Sequence, residues 1–377
     1  MDKNVFIAGC TDYSRPAVDR AVSDIFAALG GADKYIKSGM TVLIKPNLVG
    51  RQTPENAATT HPGVVAALAR LVQAHGAAAV IGDSPGGLFT RARLKSVYDA
   101  TGMTAAAAET GAALSYDLGY SEIHFPEAAV LKNFLLTDMA RSADLIINCA
   151  KLKTHVYAAF SGAVKNLFGC VPGLEKAQYH FQVQNAEQFG DLLVDLNEYI
   201  RPRINIIDAV TGMEGDGPTG GEPRHIGALI GSDSPYAADA AALRIIGLDP
   251  GNVGTALAAV KRGLISADSS DINVMGDDIT RFIVDDYRMP RNPGARTENR
   301  LLNLGSRLFK PKPVFNAKKC VKCGECVRCC PAHCLVLKER RPQVKLQKCI
   351  RCFCCHEMCM YKAVKIKRSK LIDLFLK

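Results

Sequence analysis

The sequence predicts an α/β domain with a mostly parallel sheet covered by helices, followed by a small cysteine-rich α+β domain. Short apolar runs alternate with longer amphipathic stretches over residues 5–246. Continuously apolar strands separated by helices are typical of a parallel sheet buried on both faces. Eleven of the 14 cysteines lie between Cys320 and Cys359, which sets the end of the chain apart. We expect the α/β domain over 1–288, a linker over 289–313 and the cysteine-rich domain over 314–377.

The elements follow from this alternation in chain order. The first run, Val-Phe-Ile-Ala at 5–8, is short and apolar, and an amphipathic pattern follows it at 17–29. A short apolar run favours a buried strand, whereas apolar residues three and four positions apart favour a helix. The predicted strands are residues 5–8, 41–44, 78–81, 144–147, 204–207 and 226–230. The predicted helices are residues 17–29, 64–74, 91–100, 186–200 and 235–246.

Composition narrows the class of protein. The chain has 377 residues, of which 48% are hydrophobic and 22% charged, which is typical of a globular protein and excludes disordered and collagen-like chains. No apolar run reaches the ~18 residues of a membrane span, and the N-terminus has no signal-peptide pattern. We therefore predict a soluble, cytoplasmic protein without a membrane span.

The positive charge is concentrated in the last 64 residues. Residues 314–377 contain 16 Lys and Arg against 4 Asp and Glu, a net charge of +12, which leaves −2 for the preceding residues. A solvated basic surface explains this charge, and so does a docking face for an acidic redox partner protein. Nucleic acid is the least favoured partner, because anionic thiolate-bound clusters would offset part of the charge.

The cysteines repeat one spacing. Cys320 to Cys330 form C-x2-C-x2-C-x3-C before Pro331, and Cys349 to Cys359 repeat this pattern before Met360. Without disulfide-forming conditions such density indicates metal binding, and this spacing is that of bacterial two-cluster ferredoxins, in which the fourth cysteine binds the other cluster. We predict two 4Fe–4S clusters in a ferredoxin-like domain. The first cluster site is Cys320, Cys323, Cys326 and Cys359; the second is Cys330, Cys349, Cys352 and Cys355.

Three cysteines of this region fall outside the ligand pattern. For Cys329, Cys334 and Cys354 we expect buried, small apolar side chains near the clusters, with ligand exchange or redox chemistry as the alternative. A structural zinc site would leave the third cysteine of each triplet unused, so the spacing disfavours zinc.

Polar segments follow five predicted strands, at 45–49, 82–87, 148–155, 208–218 and 231–235. Ligands in open α/β sheets bind at the carboxyl ends of strands, so we expect these segments to converge on one crevice. No segment matches a phosphate loop or a dinucleotide fingerprint, and turns or helix caps are the structural alternative at 82–87 and 231–235.

Lysines are the main signal in these segments. Buried lysine is costly unless an anion is near, so the lysines between 151 and 165 predict an anion site. His180 and His225 are as readily explained as surface residues. The expected catalytic residues are Lys151, Lys153, His155, Lys165, Glu214 and Asp216. The expected substrate-binding residues are Lys45, Asn47, His61, Asp83, Ser161, Asn166 and Asp208.

Six segments in order resemble the domain of unknown function 362 family. They are KPNLV at 45–49, THP at 60–62, GDSPGG at 82–87, KLKTH at 151–155, SGAVKNLFG at 161–169 and EGDGP at 214–218. The resemblance covers roughly residues 1–290 and implies that a C-terminal ferredoxin module often accompanies the domain. It implies no generally established reaction.

The leading functional hypothesis is an iron–sulfur electron-transfer protein and, if it is an enzyme, a ferredoxin-coupled reductase that binds an unknown anionic small molecule. In this hypothesis lysines hold the anion, His155 or His61 moves protons, and Glu214 or Asp216 positions a metal or donor group. One alternative is a non-catalytic binding or metal-centre maturation module served by the ferredoxin domain. Another is that the clusters are structural and redox-silent.

Overall fold

A computed structural model describes residues 3–183, 185–290, 311–339 and 341–367. Most of the predicted linker at 289–313 lies outside these ranges. The strands are β1 Asn4–Gly9, β2 Thr41–Pro46, β3 Ala78–Ile81, β4 Ala113–Leu114, β5 Tyr120–His124, β6 Asn133–Thr137, β7 Leu145–His155, β8 Ala159–Ser161, β9 Ile204–Glu214, β10 Glu222–Ser232, β11 Asn273–Gly276, β12 Lys312–Phe315, β13 Leu335–Lys338, β14 Arg341–Val344 and β15 Val364–Lys367. The α-helices are α1 Arg15–Ala28, α2 Pro62–Ala74, α3 Arg91–Ala100, α4 Met103–Thr110, α5 Asp138–Ser142, α6 Ala163–Asn166, α7 Glu175–Gln182, α8 Ala186–Ile200, α9 Pro235–Ile245, α10 Gly254–Lys261, α11 Glu325–Arg328 and α12 Cys354–Glu357.

A nine-stranded sheet organises the larger part of the chain. Its order is β11-β1-β10-β9-β7-β2-β3-β4, and β8 pairs with β7. The strands β9, β7, β2, β3 and β4 run parallel, whereas β10 is antiparallel to both neighbours. The prediction of a mostly parallel α/β sheet is therefore confirmed.

Helices cover both faces of this sheet. Ile206 packs into a core formed with α1 to α4, and its neighbour Ile207 packs into a core formed with α9 on the other face. Successive side chains of a strand point to opposite faces, so a strand between two helical layers is apolar throughout.

Two strands extend well past their predicted apolar runs into the polar segments that follow. The expected strands at 144–147 and 204–207 are the first parts of β7 and β9, which both continue for 11 residues. The antiparallel partners β8 and β10 supply backbone hydrogen bonds beyond the apolar runs. The polar segments at 148–155 and 208–214 consequently lie on strands and not in loops.

The cysteine-rich tail is a structural repeat of 29 residues. The strands β12 and β13 and the helix α11 recur 29 positions later as β14, β15 and α12. Lys322 and Gly324 have positive φ, as do their counterparts Arg351 and Phe353. The two cysteine loops thus share one backbone conformation. Within the described part of the chain, no helix is both long and apolar enough to span a membrane.

Candidate functional site

The candidate site is a crevice where β2, β3 and β7 end, of about 70 Å³. A volume of this kind accommodates several water molecules or a small ligand, because roughly 10–15 Å³ suffices for one water. Its charged and polar lining comprises Lys45, Asn47, Asp83, Ser84, Lys153, Lys165, Asn166, Lys176, His180 and Glu357.

A buried ion pair forms the floor. Lys45 Nζ lies 2.7 Å from Asp83 Oδ1, and the two side chains are 0% and 5% exposed. The other carboxylate oxygen accepts a hydrogen bond from Leu48 N at 2.8 Å. A Cβ on Gly169 would lie 2.1 Å from Asp83 Oδ1, so this position requires glycine. With these partners, Asp83 and Lys45 hold the loops after β3 and β2 together.

Asparagine side chains connect this floor to Lys153. Asn47 donates to Asn166 Oδ1 at 3.0 Å and accepts from Lys153 Nζ at 2.8 Å. Lys153 Nζ also donates to Ala58 O. Burial lowers the pKa of Lys153 from 10.5 to about 7, and the nearby charge of Lys165 acts in the same direction. Lys153 therefore titrates near neutral pH.

Lys165 presents an ammonium group to the crevice. Among the described residues none accepts a hydrogen bond from its Nζ. Burial lowers the pKa of Lys165, and Glu357 counteracts that effect. A cation in this position has free donors for a ligand carrying negative charge.

The cysteine-rich tail supplies one wall of the crevice. Cys329, Cys354, Glu357 and Met358 line it together with the lysines of the α/β domain. Thr219 Oγ1 donates to Glu357 O at 3.3 Å, which is a direct contact between the two parts. The crevice is thus composite, because both the α/β domain and the tail contribute to its lining.

His155 lies behind Glu357. Its Nδ1 accepts from the backbone N–H groups of Tyr157 and Ala158, both at 3.1 Å, so the proton of the neutral ring is on Nε2. His155 Nε2 is 3.8 Å from Glu357 Oε2, too far for a hydrogen bond. Burial lowers the pKa of His155 to about 3, and the ring is neutral at physiological pH.

Three of the expected site residues form a separate cluster outside the crevice lining. Lys151 Nζ donates to Asp208 Oδ2 at 2.9 Å and to Tyr13 OH at 3.0 Å. His61 stacks on Tyr13 with centroids 3.5 Å apart, and its backbone N donates to Asp208. Burial lowers the pKa of His61 to about 4. These contacts connect the loop that follows β1 with the two strands β7 and β9.

Three further expected residues also lie outside the lining. Glu214 pairs with Arg288 Nε at 2.6 Å. Asp216 contributes its backbone oxygen, 3.3 Å from His356 Nε2. Ser161 is opposite Lys153 in the β7–β8 ladder, and its buried Oγ has no hydrogen-bond partner among the described residues.

The sequence reasoning missed Lys176 and gave His180 no function. Lys176 Nζ donates to Ser84 O at 2.6 Å, and burial lowers its pKa to about 7. His180 is 5% exposed, so its interpretation as a surface residue is wrong. It stacks on Phe189, with ring centroids 4.4 Å apart. The amphipathic pattern of α7 was the available signal for both residues, since it places them one helical turn apart.

The tail contains two small cavities that are lined by cysteines. One is lined by Cys320, Cys323, Cys326 and Cys359, and among cysteines by these alone. The other is lined by Cys330, Cys349, Cys352 and Cys355, together with Cys334 and Cys354. Each predicted set of four thiols, including the crossed fourth cysteine, thus surrounds one cavity. No three Cys, His, Asp or Glu side chains of the described residues are grouped closely enough to hold a single metal ion.

The comparisons with known proteins concern both parts of the chain. The model of the family "Domain of unknown function (DUF362)" matches residues 42–244. The thylakoid-associated protein sll1697 of Synechocystis is 31% identical over 299 residues, which cover 77% of this chain and 88% of that protein. The pyruvate synthase subunit PorD of Methanothermobacter marburgensis is 32% identical over 81 residues, 21% of this chain and 90% of PorD. The spacing of the clustered cysteines in this region indicates iron–sulfur binding.

Solved structures are similar only at a distance. The lactate racemase apoprotein of Thermoanaerobacterium thermosaccharolyticum aligns with a TM-score of 0.37 and 10% identity, over 63% of this chain and 56% of that one. A protein from Thermotoga maritima aligns with a TM-score of 0.35 and 14% identity, over 61% and 58%. The chain thus spans little more than half the length of each of these structures.

Proposed function

The chain belongs to the domain of unknown function 362 family, and from this premise we propose that it is an iron–sulfur electron-transfer protein with an anion-binding crevice. The tail would hold two 4Fe–4S clusters, which supply one-electron transfer when bound. The observation that carries the proposal is the composite crevice, in which lysines of the α/β domain face Cys329 and Cys354 of the tail. A ligand held there would lie beside the second cluster site, and reduction of that ligand is the reaction we propose.

The crevice residues have distinct roles in this proposal. Lys165 binds the anion directly, because its Nζ has no acceptor among the described residues. Lys45 and Lys153 add positive charge but are held by Asp83 and Asn47. Phe168 and Leu174 also line the crevice, and these apolar side chains restrict the access of water to it.

The partner would be an acidic one-electron carrier protein that meets the first cluster site. Cys323 is exposed there, Lys322 lines the cavity, and Lys318 and Lys319 are exposed just before Cys320 in the sequence. Complementary charge accelerates such encounters and makes them sensitive to salt. We propose the cytoplasm as the location, because thiolate ligands need a reducing compartment. Recovery of the protein in a membrane fraction, as the name of the Synechocystis relative indicates for that protein, would overturn this location.

Replacing Lys165 by methionine should weaken anion binding by about 10- to 100-fold, because a hydrogen bond to a charged group contributes roughly 1.5–3 kcal/mol. Binding of phosphate, sulfate and acetate to the anaerobically purified protein would be measured by isothermal titration calorimetry. Lys261→Met, at the exposed end of α10, is the control. Equal affinity of wild type and Lys165→Met, or no binding of any probe to the wild type, would contradict the proposed crevice.

Anion affinity should fall as pH rises above about 7. Burial lowers the pKa of both Lys153 and Lys176 to about 7. The charge of Lys165 lowers the pKa of Lys153 further, whereas Asp83 and Glu357 oppose the lowering at both lysines. Below pH 7 both ammonium groups are already charged, whereas above it a bound anion must be accompanied by proton uptake. Calorimetry at pH 6.5 and 8.5 in buffers of different ionisation enthalpy measures this uptake. An affinity that does not change with pH would show that neither lysine contributes.

A further inference from the structure

The surplus cysteines are distributed unequally between the two cluster sites. Cys334 and Cys354 line the cavity of the second site. In the 29-residue repeat, Cys334 corresponds to Ala363 and Cys354 corresponds to Glu325. Both of these residues line the cavity of the first site. Only the second site therefore has thiols in addition to its four ligands within the described tail.

Both thiols lie beside ligands of the second site. Cys334 Sγ is 3.4 Å from Cys330 Sγ, which is within hydrogen-bond range for sulfur. Cys354 lies between the ligands Cys352 and Cys355 in sequence and lines the same cavity as both. Cys330, Cys352 and Cys355 are ligands of the same predicted site, so both thiols are placed to act on the second cluster.

We propose that Cys334 and Cys354 donate S–H hydrogen bonds to ligand sulfurs of the second cluster and raise its reduction potential above that of the first. This inference rests on the proposed function. Reduction adds negative charge that is shared with the thiolates, and a donor to a ligand sulfur stabilises that charge. Cysteine thiols are weak donors, but their burial at 2% and 6% exposure removes competing water.

The difference in potential would set the direction of electron flow. One electron accepted at the exposed first site from the acidic carrier would move to the second site, beside the crevice ligand. Both thiols are buried, and Cys334 Sγ already lies within hydrogen-bond distance of a ligand sulfur. They are positioning residues and not ligands.

The test is a redox titration of the anaerobically purified full chain, followed by electron paramagnetic resonance. Cys334→Ala and Cys354→Ala should each lower the reduction equilibrium constant of the second cluster about three- to tenfold; tenfold corresponds to about 59 mV for a one-electron couple. Cys334→Ser retains a donor and should keep the wild-type potential or raise it. Cys10→Ala is the control, because this buried thiol belongs to the α/β domain and donates to Asp12 O at 3.2 Å and not to a sulfur. The first cluster should be unaffected in all four variants.

The outcomes separate this inference from the proposed function. Wild type with fewer than two clusters overturns the proposed function itself. Wild type with two clusters and unchanged potentials in Cys334→Ala and Cys354→Ala overturns only the inference. Loss of about half the iron in Cys334→Ala would make Cys334 a ligand and would also overturn it.

Discussion

Replacing Asp83 by alanine is expected to lower the free energy of unfolding by about 3–5 kcal/mol, because it leaves the fully buried Lys45 ammonium without its counter-ion. Leu48 N loses its acceptor in the same change. The chain has 11 tyrosines and no tryptophan, so unfolding in urea is best followed by far-UV circular dichroism under anaerobic conditions. A change of that size is a large part of the stability of a typical domain.

Two comparisons show whether the effect belongs to the buried pair. Asp99→Ala removes an exposed partner of Lys95 on α3 and should leave the urea concentration at the midpoint of unfolding unchanged. Lys45→Met combined with Asp83→Leu removes both charges and should recover much of the stability, since apolar replacement of a whole buried pair is often neutral. A midpoint of Asp83→Ala equal to that of Asp99→Ala would mean that Lys45 finds another partner or reaches water.

The sequence predicted the sheet because its strands are apolar throughout, and this signal depends on local residues alone. It predicted the convergence of Lys45, Asp83 and Lys153 because parallel strands end at the same edge of a sheet. It failed where pairing depends on distant residues. β7 extends to His155 because β8 pairs with its polar end, whereas the local signal in 148–155 is only the short apolar–polar alternation of Ala-Lys-Leu-Lys at 150–153.

Some of the expected site residues line the crevice and others lie outside it, for a similar reason. Lys151 and Lys153 are two residues apart on β7, yet Lys151 pairs with Asp208 and Lys153 with Asn47. The partner of each lysine is on a different element, and spacing alone does not specify it. Glu357 was missed because its position in the crevice depends on how the tail packs, which the cysteine spacing does not encode.

The tail contacts give the composite crevice a physical explanation. His356 Nδ1 is 2.7 Å from Val364 O and its Nε2 is 3.3 Å from Asp216 O, so one side chain joins the two parts. Met358 contacts Gly86, where an added Cβ would lie 2.3 Å from its Cε. Close approach at glycine allows the tail to cover the loop after β3, and the second cluster site therefore faces the lysines.

Replacing Cys359 by alanine should remove the first cluster and spare the second, although Cys359 belongs to the second cysteine motif. It lines the same cavity as Cys320, Cys323 and Cys326. Conversely, Cys330→Ala should remove the second cluster, because Cys330 lines the cavity of Cys349, Cys352 and Cys355. A protein with two 4Fe–4S clusters contains about eight irons, and each variant should retain about four.

Anion binding distinguishes the cluster that remains in Cys359→Ala from the one that remains in Cys330→Ala. Only the second site lies beside the crevice, so the paramagnetic signal that survives in Cys359→Ala should change when phosphate or another probe anion binds, and the one that survives in Cys330→Ala should not. Cys329→Ala, next to a ligand but outside the pattern, should retain all of its iron. If the signal of Cys330→Ala responds to the anion and that of Cys359→Ala does not, ligation is uncrossed, because each motif then binds its own cluster through its own fourth cysteine.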